Sequence, residues 1–114
     1  MPRIPRSYVK TLYFHIITQG IDKRYIFQYP EDIKTYISIM YKLKKEQNIE
    51  IIAYCIMNNH THMLVKVDEL NQLSKYMQRI NTRYAKYYNK KYNRVGYVFR
   101  DRYKCEGIYS DNHF

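Results

Sequence analysis

The chain has 114 residues, with 20 Lys and Arg against 10 Asp and Glu, for a formal net charge of +10. That length allows one domain with a modest core. No run is apolar enough for a bilayer span, and the N-terminal Met1-Pro2-Arg3-Ile4-Pro5-Arg6 lacks the apolar centre of a signal peptide, so a cytoplasmic protein without a membrane partner is expected.

The positive charge calls for an anionic partner. Fifteen tyrosines and four phenylalanines add aromatic faces, and that mixture suits phosphates and unpaired bases. It is also what an ordinary basic, Tyr-rich protein looks like. Cys55 and Cys105 show no C-x-x-C spacing and sit in strand-like surroundings, which predicts two reduced core thiols rather than a disulfide framework.

Tyr8 to Thr18, rich in β-branched and aromatic residues, predicts a first strand that ends at Gln19-Gly20. Tyr29-Pro30-Glu31-Asp32 has the composition of a helix start. Ile33, Tyr36, Ile37, Met40 and Leu43 then recur at helical spacing, and Lys42, Lys44 and Lys45 suit the negative end of the helix dipole. Ile49 to Met57 is apolar on both faces, which predicts a central strand. Asn58-Asn59 predicts a tight hairpin into a third strand, His60 to Val67. Alternation puts Thr61, Met63, Val65 and Val67 on one face of it and His60, His62, Leu64 and Lys66 on the other.

Leu70, Leu73, Met77, Ile80, Tyr84 and Tyr88 mark the apolar stripe of a second helix. Lys75, Arg79, Arg83, Lys86 and Lys90 form a basic ridge along another side. Arg94-Val95-Gly96 breaks the pattern, Tyr97 to Tyr109 predicts a fourth strand with a bend or hairpin near Arg100-Asp101, and Ser110-Asp111-Asn112 has the form of a helix N-cap. The order strand, helix, strand, strand, helix, strand is that of the ferredoxin-like α+β fold. Both helices then cover one face of an antiparallel sheet, and His60 and His62 lie on the open one.

Strand residues two apart are about 6.6 Å from each other and point the same way, so His60 and His62 can converge on one divalent ion. Two exposed strand histidines with no ligand fit the same spacing. His15 and His113 read as lone histidines with structural or solvent roles.

Several segments together carry a family resemblance: Tyr13-Phe14-His15-Ile16, the strand from Ile52 to Met57, Asn59-His60-Thr61-His62-Met63-Leu64, and Gly96-Tyr97-Val98-Phe99-Arg100-Asp101-Arg102-Tyr103-Lys104. The last is similar to a G-x-x-F-x-x-R-[FY] block. The chain resembles the single-tyrosine HUH transposases, which are IS200-like, and among them the REP-associated kind. It differs at Thr61, where that family usually has an apolar residue.

The resemblance implies a metal-dependent transesterase acting on single-stranded, hairpin-forming DNA as a homodimer. His60, His62 and a third polar ligand would hold Mg or Mn, and a tyrosine would form a 5′-phosphotyrosine. It places that tyrosine and the third ligand on a helix past Phe114, so residues 1–114 are expected to form a single domain without the nucleophile helix, binding metal and DNA without cleaving. Phe114 itself lies too close to Arg102-Tyr103 to be the replaced nucleophile, and Tyr84, Tyr87 and Tyr88 belong to the helix side.

Arg100, Arg102 and Lys104 are the expected DNA contacts beside the histidines, with Lys75, Arg79 and Arg83 as a second candidate set. Tyr97, Phe99 and Tyr103 suit either base stacking or strand packing. One rival reading is a binding module of the RRM type, although H-T-H-M-L-V-K-V lacks the aromatic pattern its third strand would need. The other rival is a domesticated, catalytically silent HUH protein.

Overall fold

The computed structural model describes residues 12–100 and 102–108. Strand β1 (Leu12–Gln19) is followed by a short 3-10 turn (Ile21–Lys23), helix α1 (Pro30–Gln47), strands β2 (Glu50–Ile56) and β3 (His60–Val67), helix α2 (Leu70–Lys91) and strand β4 (Lys104–Ile108). The strands lie in the order β2-β3-β1-β4, with every pairing antiparallel. This is the ferredoxin-like α+β arrangement, with two helices on one face of a four-stranded sheet.

Local chemistry fixes the helix ends. Pro30 opens α1, and the Asp32 carboxylate accepts from the backbone N–H groups of Gln28 and Tyr29 at 3.0 and 3.2 Å. Asn48 closes it in the left-handed region at φ 55°, its N–H donating to the Lys44 carbonyl. Glu69 and Gln72 form the reciprocal cap of α2.

The core lies between the helices and the inner sheet face. Tyr36, Met40 and Leu43 of α1 and Leu73, Met77, Ile80 and Tyr84 of α2 are buried against Ile16, Met63 and Val65. Two of the buried phenols find backbone acceptors: Tyr76 donates to the Met40 carbonyl at 2.8 Å and Tyr84 to the Ile26 carbonyl. β3 alternates as its sequence predicts, with Thr61, Met63, Val65 and Val67 buried and the residues between them half-buried.

Three expectations are corrected. β2 is an edge strand, not a central one: Ile52 is 44% and Tyr54 39% exposed. Its run is apolar on both sides partly because Tyr54 packs edge-on against Tyr41 of α1, and a register shift between Ile51 and Ala53 interrupts the alternation. The fourth strand is split. Phe99 bridges Gly20, and pairing resumes only where Lys104 meets Ile17, with two more residues on this side than on β1. The thiols of Cys55 and Cys105 are free but exposed, not core. The start of the expected first strand (8–11), Asp101, and the N-cap at Ser110 with His113 and Phe114 lie outside the described residues. Among the described residues, no helix is long and apolar enough to cross a membrane.

Candidate metal and nucleic-acid site

β3 is flanked by β1 and β2, so its outward side chains stand in the middle of the open face. His62 lies opposite Ile17 on β1 and Cys55 on β2, and His60 opposite Gln19. The two imidazoles of the H-T-H segment have centroids 5.1 Å apart, with planes at 75°. Each Nδ1 is engaged. His60 Nδ1 is 2.7 Å from Asn59 Oδ1, and His62 Nδ1 is 3.0 Å from His15 Nε2. Neither Nε2 has a protein partner among the described residues. Burial first, then the neighbouring His60 and His15, push the His62 pKa below the usual imidazole value. A neutral ring is the form that can donate a lone pair to a metal.

These rings floor a cleft of about 610 Å³ together with Ile17 and Gln19. The other wall is the arch between the two halves of the fourth strand, which supplies Arg100, Arg102 and Tyr103, and Lys104 follows at the start of β4. Lys104 pairs with Ile17, which also faces His62, so alternation puts its side chain on the open face. Arg100 leans toward Gln19 Oε1 at 3.4 Å, and Arg102 is exposed. Among the described residues, no carboxylate lines the cleft. It offers two imidazole lone pairs beside three cations.

His60, His62, Arg100, Arg102 and Lys104 are thus brought together as the sequence led one to expect. Lys75, Arg79 and Arg83 are not among them: they lie on α2, in the layer that covers the opposite sheet face, and Arg79 pairs with Glu46 at 2.8 Å. Tyr84 and Tyr88 are core residues, and Tyr87 donates to Asp32.

The sequence left His15 as a lone histidine. It sits diagonally from His62, since His15 pairs with Leu64 and Ile17 with His62. Diagonal cross-strand neighbours are within reach of a long or aromatic side chain. The signal was available in the alternation of β1, but only the strand register turns it into a contact.

No group of three or more His, Cys, Asp or Glu able to hold a metal is found among the described residues. The donor set nonetheless fits a shared ion in kind: two imidazoles, each with one ring nitrogen already bonded, the pattern of metal-ligating histidines. Remaining ligands would have to come from a substrate oxygen or from residues outside the described ones.

Fold and site together define a ferredoxin-like domain that presents a histidine pair and a basic wall on its free sheet face. Residues 8–112 match the family "Transposase IS200 like", and the chain belongs to that family of DNA transposases. No curated protein matches the sequence. Among solved structures it is similar to a protein of Deinococcus radiodurans R1 described as a transposase, with a TM-score of 0.72 and 14% identity over 96% of this chain and 88% of that one. It is also similar to a REP-associated tyrosine transposase bound to a REP hairpin, with a TM-score of 0.66 and 15% identity over 96% of this chain and 64% of that one. At such identities the likeness is one of fold.

Proposed function

We propose that the histidine cleft binds a divalent cation, Mg or Mn, together with a phosphate of single-stranded DNA next to a hairpin, for strand cleavage and rejoining. The observation that carries this reading is a pair of imidazoles, each bonded through Nδ1, lining one cleft with Arg100, Arg102 and Lys104. When bound, the ion supplies Lewis-acid polarisation of a phosphate oxygen. His60 and His62 hold it, and the two arginines and Lys104 bind flanking phosphates and keep the backbone in register. Tyr103, in the same wall, offers a face to a neighbouring base. The hairpin in the similar REP-associated structure supports DNA as the ligand.

In the transfer step a tyrosine oxygen bonds to phosphorus, the bond from phosphorus to the 3′ oxygen breaks, and the phenol proton ends on that 3′ oxygen. A 5′-phosphotyrosine then preserves the phosphodiester for rejoining. The family resemblance assigns the attacking tyrosine to a position past Phe114 and makes the working unit a homodimer.

The test titrates residues 1–114 into a fluorescent hairpin with a single-stranded flank, in Mn2+ and in EDTA. Binding should be stronger with Mn2+, and His60→Ala and His62→Ala should each remove the difference. Binding indifferent to EDTA and to both changes would leave a non-catalytic nucleic-acid module instead. An SDS-stable adduct would move the nucleophile inside the chain, with Tyr103 as the first tyrosine to replace.

A further inference from the structure

We propose that His15 and Asn59 are positioning residues for the histidine pair: each bonds the Nδ1 of one imidazole and so turns an unprotonated Nε2 into the cleft. The inference rests on the cation reading of the cleft and adds two residues to it.

For His60 the geometry leaves one choice. Asn59 Nδ2 donates to the Lys23 carbonyl at 3.5 Å, which orients the amide so that Oδ1 faces the ring. An amide oxygen only accepts, so His60 Nδ1 carries the hydrogen and Nε2 has the lone pair. Asn59 is itself anchored at the hairpin, where its carbonyl accepts from the Gly20 N–H at 2.9 Å.

For His62 the partner is another imidazole, and the contact is an in-plane hydrogen bond rather than a face-to-face stack. The planes differ by only 12°, and the centroids, at 5.2 Å, are farther apart than the 3.0 Å N···N contact by about two ring radii. The rings therefore meet edge to edge, where the lone pair and the N–H lie. One nitrogen must donate and the other accept. The charges around the cleft decide which. Arg100, Arg102 and Lys104 line the same cleft as His62, and a positive wall favours a lone pair over an N–H directed into that cleft. His62 Nδ1–H then donates to His15 Nε2. Partners of this kind fix the tautomer and ring angle of a ligating histidine, and their loss typically weakens metal binding 10- to 100-fold.

Two readouts test this without DNA or activity. Long-range 1H–15N spectra of the metal-free chain should show both His60 and His62 protonated at Nδ1. Mn2+ titration followed by the free-ion EPR signal should show His15→Phe, which keeps an aromatic ring but has no acceptor, weakening binding tenfold or more and mixing the His62 tautomers. His15→Gln, whose amide oxygen can stand near the position of Nε2, should restore both. Asn59→Ala should act on His60 alone, and Asn59→Asp, which keeps an acceptor oxygen, should rescue it.

A His62 protonated at Nε2 in the wild type overturns the inference. So does His15→Phe with unchanged tautomer and affinity. Should the wild type bind no Mn2+, the cation reading of the cleft fails, and the spectra of wild type and His15→Phe alone decide whether His15 sets the tautomer.

Discussion

Thr61 stands between the two histidines, but its side chain points the other way, into the core beneath the sheet, where it is 1% exposed. Its hydroxyl has no hydrogen-bond partner of normal geometry, and neither do those of Thr18, directly across on β1, and Tyr36 above it. Burial pushes the Tyr36 phenol up to about 12, and the nearby Thr61 hydroxyl offsets only part of that. An unpaired buried hydroxyl costs about 1–3 kcal/mol. Thr61→Val, close in shape and without the hydroxyl, is therefore expected to raise stability by about 1 kcal/mol in urea unfolding while leaving the histidines in place. A loss of stability would mean that the three hydroxyls form a bonded cluster with water. The position was legible as a departure from the related family's apolar residue. Its cost was not, because that depends on which residues α1 and β1 bring against it.

Between elements, one buried carboxylate gathers several hydrogen bonds. Asp32, in the first turn of α1, accepts from Lys91 Nζ at 2.7 Å and from the Tyr87 and Tyr92 hydroxyls at the far end of α2, as well as from Gln28 and Tyr29 ahead of its own helix. Burial by itself would raise its pKa, but the hydrogen bonds from Lys91, Tyr92, Tyr87 and Gln28 together outweigh it and bring the value down to about 2 from 3.8. The folded state thus holds Asp32 ionised more firmly than the unfolded chain does. Its contribution is complete above about pH 4 and is lost as the pH falls toward 2. Lys91 is held charged well above the ordinary lysine range, chiefly by Asp32, so only Asp32 titrates in that window. Asp32→Asn leaves the Lys91 cation without its main partner, and about 3 kcal/mol should be lost at pH 7. The gap to wild type should narrow at pH 2.5, and a gap that persists there would assign the effect to packing.

The sequence placed Asp32 at a helix start but did not single out Lys91 or pair the two, since nothing local relates residues fifty-nine apart. The same limit explains β2. Hydrophobic periodicity reports how many faces of a strand are apolar, whereas its place at the edge follows from the order of pairing. The helices, the hairpin and the face assignment of β3 were legible because capping, turn and alternation signals are local.

At the scale of the molecule, the six cations expected to contact DNA divide between two surfaces. Arg100, Arg102 and Lys104 share the open-face cleft with the histidines, while Lys75, Arg79 and Arg83 lie on α2, across the sheet from it. Net charge attracts DNA to both, but contacts in a defined register form only where the backbone is held. Each phosphate neutralised by a side chain releases condensed counterions and steepens the dependence of log K on log salt by about 0.7 for single-stranded DNA and 0.9 for duplex. Arg102→Ala is therefore expected to weaken hairpin binding and reduce that slope by about one. Lys75→Ala, an equal change in net charge on the helix side, should leave the slope nearly as it was. Arg79 is a poorer control because its partner Glu46 would be left behind. Fluorescence anisotropy from 50 to 300 mM salt measures both. If Lys75→Ala lowers the slope as much as Arg102→Ala, the DNA wraps onto the helix layer as well, and the footprint extends well beyond the histidine cleft.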